Sequence, residues 1–171
     1  MSTQKFTYLI IFCLATFFCQ AQIHDRMDIH LTDIKTTKAQ EFDQINWKSN
    51  YTLSKEGEPD LPAYRVSYVL PVDAKLTGIT FQSHEKQLFK QDVYIYPMQH
   101  PRPVGNAEEI AFVQPDKKIY ESDTPYPERL YDIESDVIMH GYHVVTICIY
   151  PFEYLPKSRV LNYYPPARRS L

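Results

Sequence analysis

Proline placement constrains this 171-residue chain more than any other feature: there are thirteen prolines against four glycines. Each proline removes a backbone donor and fixes φ, so it breaks helices and marks strand ends and turns. No stretch carries a long 3.6-residue apolar stripe. The best short helical candidates are residues 39–44 and 127–132.

Between the prolines the period is two. Tyr64, Val66, Tyr68 and Leu70 alternate with Arg65 and Ser67, as in a half-buried strand. Further strands are expected over 28–36, 75–82, 87–96 and 159–164. Segments 136–139 and 142–150 flank His140-Gly141, a hairpin or bulge signal. Residues 144–150 are apolar on both faces, which marks a central strand. The pattern predicts an all-β fold: a jelly-roll-like β-sandwich of short antiparallel strands with one long Pro-rich loop over 98–131.

Residues 1–21 read as a secretory signal peptide. Lys5 supplies the positive start, 8–18 the apolar run, and Ala21 the small residue at the cleavage point. That run is too short to span a bilayer comfortably. Cleavage leaves one domain over 22–164, a tail over 165–171 and no membrane span. It also removes two of three cysteines, so Cys148 has no internal partner and stability must come from packing. A formal charge of −3 gives no field that would draw the chain to nucleic acid or an anionic membrane.

Catalytic chemistry is nearly absent. Cys148 lies in the most apolar run, without a basic neighbour in sequence, and reads as an inert core residue. His140 and His143 stand three apart, which on a strand points them to opposite faces and spoils a metal pair. Asp123, Glu128, Asp132, Glu134 and Asp136 lack the spacing of a calcium loop and read as solvated charge. No metal site and no cofactor is expected. The many Tyr and Phe could stack sugars, but at alternating strand positions they read as core.

Two segments carry a pattern. The first is Lys55-Glu56-Gly57-Glu58-Pro59-Asp60-Leu61-Pro62 before the alternating strand. The second begins with Asp92-Val93-Tyr94-Ile95-Tyr96-Pro97 and resumes at Tyr120, Asp123 and Pro127. It ends with Gly141 to Val145, then Pro151-Phe152-Glu153-Tyr154-Leu155-Pro156 and a last strand. In order and rough spacing this resembles the N-terminal prodomain of gingipain-type cysteine peptidases over about residues 50–164. The family's catalytic His and Cys have no counterpart, and the sequence stops where the family continues its last strand. A truncated gene, a fragment and a stand-alone inhibitor are all open.

The resemblance implies a non-catalytic, secreted β-sandwich that keeps a cysteine peptidase latent and assists its folding. It places the chain in the periplasm, medium or cell surface of a Gram-negative bacterium using type IX secretion. The implied partner is a gingipain-like peptidase domain, in cis or in trans. It would be held across the 98–131 loop and an edge strand by shape and main-chain pairing. A basic residue in the loop after Pro97 would enter the specificity pocket. Arg102 is the nearest, with Lys117, Lys118 and Arg129 as alternatives; a solvated loop Arg is the plainer reading. Pro103 on the leaving side would hinder cleavage after Arg102. The rival function is a cell-surface adhesion or carbohydrate-binding β-sandwich.

Overall fold

The chain's structure, a computed structural model, describes residues 23, 25, 31–47, 51–52, 54–101 and 111–165. The expected signal peptide over 1–21, Arg102 and residues 166–171 lie outside them. The fold is all-β and sandwich-like. β1 (Lys35–Ala39) and β2 (Phe42–Asn46) form a hairpin. A four-stranded sheet runs β3 (Tyr51–Thr52), β4 (Pro62–Leu70), β7 (Tyr142–Ile149), β6 (Tyr131–Met139). A three-stranded sheet runs β5 (Gln87–Lys90), β9 (Val160–Tyr163), β8 (Phe152–Leu155). All strand pairs are antiparallel.

The alternating strand and the apolar strand sit where their patterns put them. β4 spans Pro62–Leu70 and β7 lies between β4 and β6. His140 (φ 52°) and Gly141 (φ 80°) form the two-residue β6–β7 turn. Two left-handed residues in a row give the twist that matches right-handed strands. The pairing register shifts between Ile133 and Ser135, which leaves Glu134 as a bulge in β6.

Several expectations are corrected. Residues 39–44 are a hairpin turn, not a helix: Gln40 takes φ 57°, and Phe42 and Ile45 are both buried because β2 is covered on both faces. Residues 127–132 are likewise not helical; they follow a cis Tyr126–Pro127 peptide and run into β6. The 28–36 strand begins only at Lys35, after a 3-10 turn over Leu31–Asp33; residues 28–30 are outside the described set. Residues 75–82 form no strand, since alternation without a neighbouring ladder does not make one. The 87–96 strand breaks at Asp92 (φ 53°). The motif segment between Pro151 and Pro156 carries β8. A short α-helix, α1 (Lys117–Tyr120), lies inside the long loop and is capped by the Asp116 side chain.

The main core gathers Ile34, Ile45, Leu61, Val93, Ile95, Phe152, Tyr154, Leu161 and Tyr163. A smaller cluster joins Ala63, Cys148 and Tyr150 under Tyr51. Burial, then a hydrogen bond to Glu134, pushes the Cys148 thiol up to about 12. Arg65 is its cross-strand partner, a basic neighbour that sequence adjacency did not reveal. Arg65 pairs with Glu134 at 2.6 Å, and the carboxylate rather than the guanidinium holds the thiol proton. No helix among the described residues is long and apolar enough to cross a membrane.

Candidate functional site

The irregular segment after Asp92 is where the recognised residues meet. It lacks a regular ladder, so its buried backbone groups need other partners. Val93 N–H donates to the Arg159 carbonyl, and the Val93 carbonyl accepts from the Tyr154 hydroxyl at 2.8 Å. The Ile95 carbonyl accepts from the Tyr120 hydroxyl at 2.8 Å. Tyr94 N–H donates to the Asp43 carboxylate at 3.0 Å. Asp43 N–H donates to the Tyr94 carbonyl, and Tyr96 N–H to the Asp43 carbonyl. Two tyrosines and one buried aspartate thus replace a strand.

The far end of this segment runs into the Gly57-Pro59 motif. Asp60 N–H donates to the Tyr96 carbonyl and Met98 N–H to the Glu58 carbonyl. Gly57 N–H donates to the Met98 carbonyl, and Pro59 bridges Pro97. Asp116 N–H donates to the Gly57 carbonyl at 2.8 Å. The Gln99 side chain closes the ring. Its amide donates to the Pro97 and Val113 carbonyls, and its carbonyl accepts from Val113 N–H at 2.9 Å. The chain that leaves at His100 and returns before Val113 is therefore clamped at its neck. A shallow cleft lined by Ser54, Lys55, Glu56, Met98, Gln99 and Pro101 opens beside it, and His100 lies 2.5 Å from Glu56.

Gly57 is required here on two counts. Its φ is +82°, and an added Cβ would sit 3.1 Å from the Gln114 carbonyl oxygen. Gly57→Ala is expected to lower stability by about 1–3 kcal/mol through left-handed strain and that contact. Urea denaturation of the two proteins measures it.

The structure also places the other motif residues. Leu61 is in the core and Pro62 starts β4. Pro151 and Pro156 bound β8; their carbonyls accept from Tyr164 and Arg159 N–H. Pro127 follows Tyr126, whose hydroxyl bonds Glu58 and whose backbone pairs with Tyr154. Of the candidate basic residues, Lys117 and Lys118 are exposed on α1, one and two residues beyond the neck contact of Asp116. Arg129 lies elsewhere, 2.7 Å from Asp132. Gln99 and Asp43 were not singled out from sequence, and no local pattern marks either. Tyr120, Tyr150, Tyr154 and Tyr163 are buried, so they form core rather than a sugar-stacking platform.

Known proteins offer likenesses at two levels. The family model described as Propeptide_C25 matches residues 19–167. No curated protein matches the chain. Among solved structures, one likeness is to the complex of Porphyromonas gingivalis RgpB pro- and mature domains. Its TM-score is 0.62 at 18% identity, over 86% of this chain and 82% of that one. Another is to a structure titled for the zymogenic latency of gingipain K from the same organism. There the TM-score is 0.63 at 18% identity, over 78% and 76%. At such identity these two likenesses speak to fold.

Proposed function

The chain belongs to the Propeptide_C25 family, a gingipain-type propeptide, and on that premise we propose that it is a non-catalytic inhibitor that holds a cysteine peptidase latent and assists its folding. The observation that carries this reading is the clamped neck. Gly57, Gln99, Val113 and Asp116 fix both ends of a loop without supplying any reactive group. A loop whose ends are fixed loses less entropy when a pocket captures it, so a rigid neck favours binding. Arg102 stands three residues past Gln99, between Pro101 and Pro103. In this proposal its guanidinium enters the specificity pocket of an Arg-directed peptidase, and Pro103 hinders cleavage on the leaving side. Export through a signal peptide and the type IX route belongs to the same proposal, with the peptidase met in cis or in trans.

Arg102→Ala is expected to weaken binding to a gingipain-type peptidase domain by about 30–100-fold, the loss typical of an anchoring side chain. Lys117→Ala, Lys118→Ala and Arg129→Ala are expected to change it by less than about threefold. Inhibition constants for the four variants check this. Equal constants for Arg102→Ala and the parent would remove the assignment of the loop Arg.

A further inference from the structure

We infer that His143 is a pH-operated latch: its imidazolium ties the turn after β4 to β6, and loss of the proton frees that turn. His143 lies near the start of β7, on the sheet face shared with Asp136, and its side chain is 8% exposed. Nε2 stands 2.5 Å from a carboxylate oxygen of Asp136, which is two residues along β6 from the register partner Ile138. That is a diagonal cross-strand pair. Nδ1 is buried and has no hydrogen-bond partner among the described residues. The Pro71 and Ala74 carbonyls, from the turn closed by the Ala74 N–H to Pro71 carbonyl bond, face the ring.

These polar neighbours are all acceptors, and that decides which form of the ring fits. A neutral imidazole carries one proton. Placed on Nε2, the proton meets Asp136 and leaves the Nδ1 lone pair buried and unpaired. Placed on Nδ1, it turns the Nε2 lone pair onto the carboxylate. The cation alone can donate on both sides. Asp136 is half exposed and brings the negative charge to the ring. β4 sets Leu70 opposite His143, with Tyr68 next on that face and bonded to Asp25. Asp73 and Lys75 of the following turn, and His140 of the β6–β7 turn, are exposed. The Asp136 hydrogen bond, with its charge and the two carbonyls, outweighs burial and holds the ring above its ordinary pKa.

The turn begins a stretch, residues 71–86, that carries no strand between β4 and β5. Further along, the Tyr131 hydroxyl donates to the Ile79 carbonyl at 3.2 Å, His84 N–H donates to the Pro165 carbonyl, and Lys86 meets Glu153 at 2.8 Å. A stretch held by such single contacts rather than by a ladder opens before the sheets do. A raised folded-state pKa means that the folded chain keeps the proton longer than the unfolded one. The latch is therefore fully engaged below the unfolded value of 6.5 and lost as pH rises through the higher folded value. This flank is closed in mildly acidic surroundings and loosens on the alkaline side, whatever the domain binds.

NMR of the full chain tests the latch, from about pH 5 to about pH 9. The ring signals of the six histidines give the titrations, with His143→Gln assigning the relevant one. Amide exchange, corrected for intrinsic rates, follows Val72, Asp73, Ala74 and Lys75. His143 is expected to titrate above 6.5. Across the same titration the turn amides are expected to lose protection by about three- to tenfold, the worth of one hydrogen bond, while β9 amides hold theirs. Asp136→Asn, at a half-exposed site, is expected to lower the His143 midpoint and to carry the loosening of the turn to lower pH with it. His143→Gln is expected to abolish the pH dependence at the turn; should that variant fail to fold, Asp136→Asn decides alone. A His143 midpoint at or below 6.5, turn amides indifferent to the titration, or a midpoint unmoved by Asp136→Asn would overturn the inference.

Discussion

Tyr154→Ala is expected to cost about 4–5 kcal/mol, the largest single-residue loss in the molecule. The side chain is fully buried in the main core, beside Tyr120 and against the segment after Asp92. Truncation removes the whole ring and opens a cavity that a two-sheet core cannot fill by small shifts. It also strands the Val93 carbonyl, which accepts from the Tyr154 hydroxyl. For a domain of this size the loss corresponds to a melting temperature lower by roughly 10–15 °C. Tyr154→Phe keeps the ring and loses only the hydroxyl, so it is expected to cost about 1–2 kcal/mol. Thermal melts of the two variants separate packing from hydrogen bonding. Equal losses would show that the hydroxyl, not the ring, carries the effect.

Asp43→Ala is expected to cost about 3 kcal/mol. Its side chain is 1% exposed, yet it accepts from Lys38 at 2.8 Å, Lys90 at 3.1 Å and Tyr94 N–H at 3.0 Å. Burial alone would push the carboxyl pKa up. The hydrogen bonds from Lys38, Tyr94 and Lys90 outweigh it and hold the group below the usual carboxylate value. A depressed pKa means that the unfolded chain binds the proton first. The stabilisation is therefore complete above the unfolded value of 3.8 and lost as pH falls through the lower folded value. Asp43→Asn removes the charge but keeps polar atoms in place, and it is expected to flatten the acid limb of the stability curve. Denaturant midpoints from pH 7 down to about pH 3 measure it. An acid limb as steep in Asp43→Asn as in the parent would assign that limb to other carboxylates.

The strands that were legible from sequence are those whose local pattern and tertiary setting agree. β4 shows a clean alternation, and the β6–β7 turn needs two left-handed residues, which Gly141 advertises. Residues 75–82 misled because alternation records where side chains point, not whether a neighbouring strand exists. The break at Asp92 was invisible because it depends on Tyr154, Tyr120 and Asp43 bonding the segment that follows. Both halves of the neck were recognised as separate motifs. Their meeting at Gly57, Met98 and Asp116 is a long-range contact, and no spacing encodes it. Gln99 is one polar residue among many in a Pro-rich loop, and only the folded chain shows both its amide groups facing Val113.

Hydrogen exchange of the chain with and without a gingipain-type cysteine peptidase domain tests the central claim most directly. The clamped neck is where a peptidase should close over the chain, so the amides of Gly57, Glu58, Asp60, Met98, Gln99, His100, Val113, Gln114, Asp116 and Lys117 are expected to slow on complex formation. Core strands β7 and β9 are expected to change little. A complex that leaves the neck amides exchanging as fast as in the free chain would contradict the account.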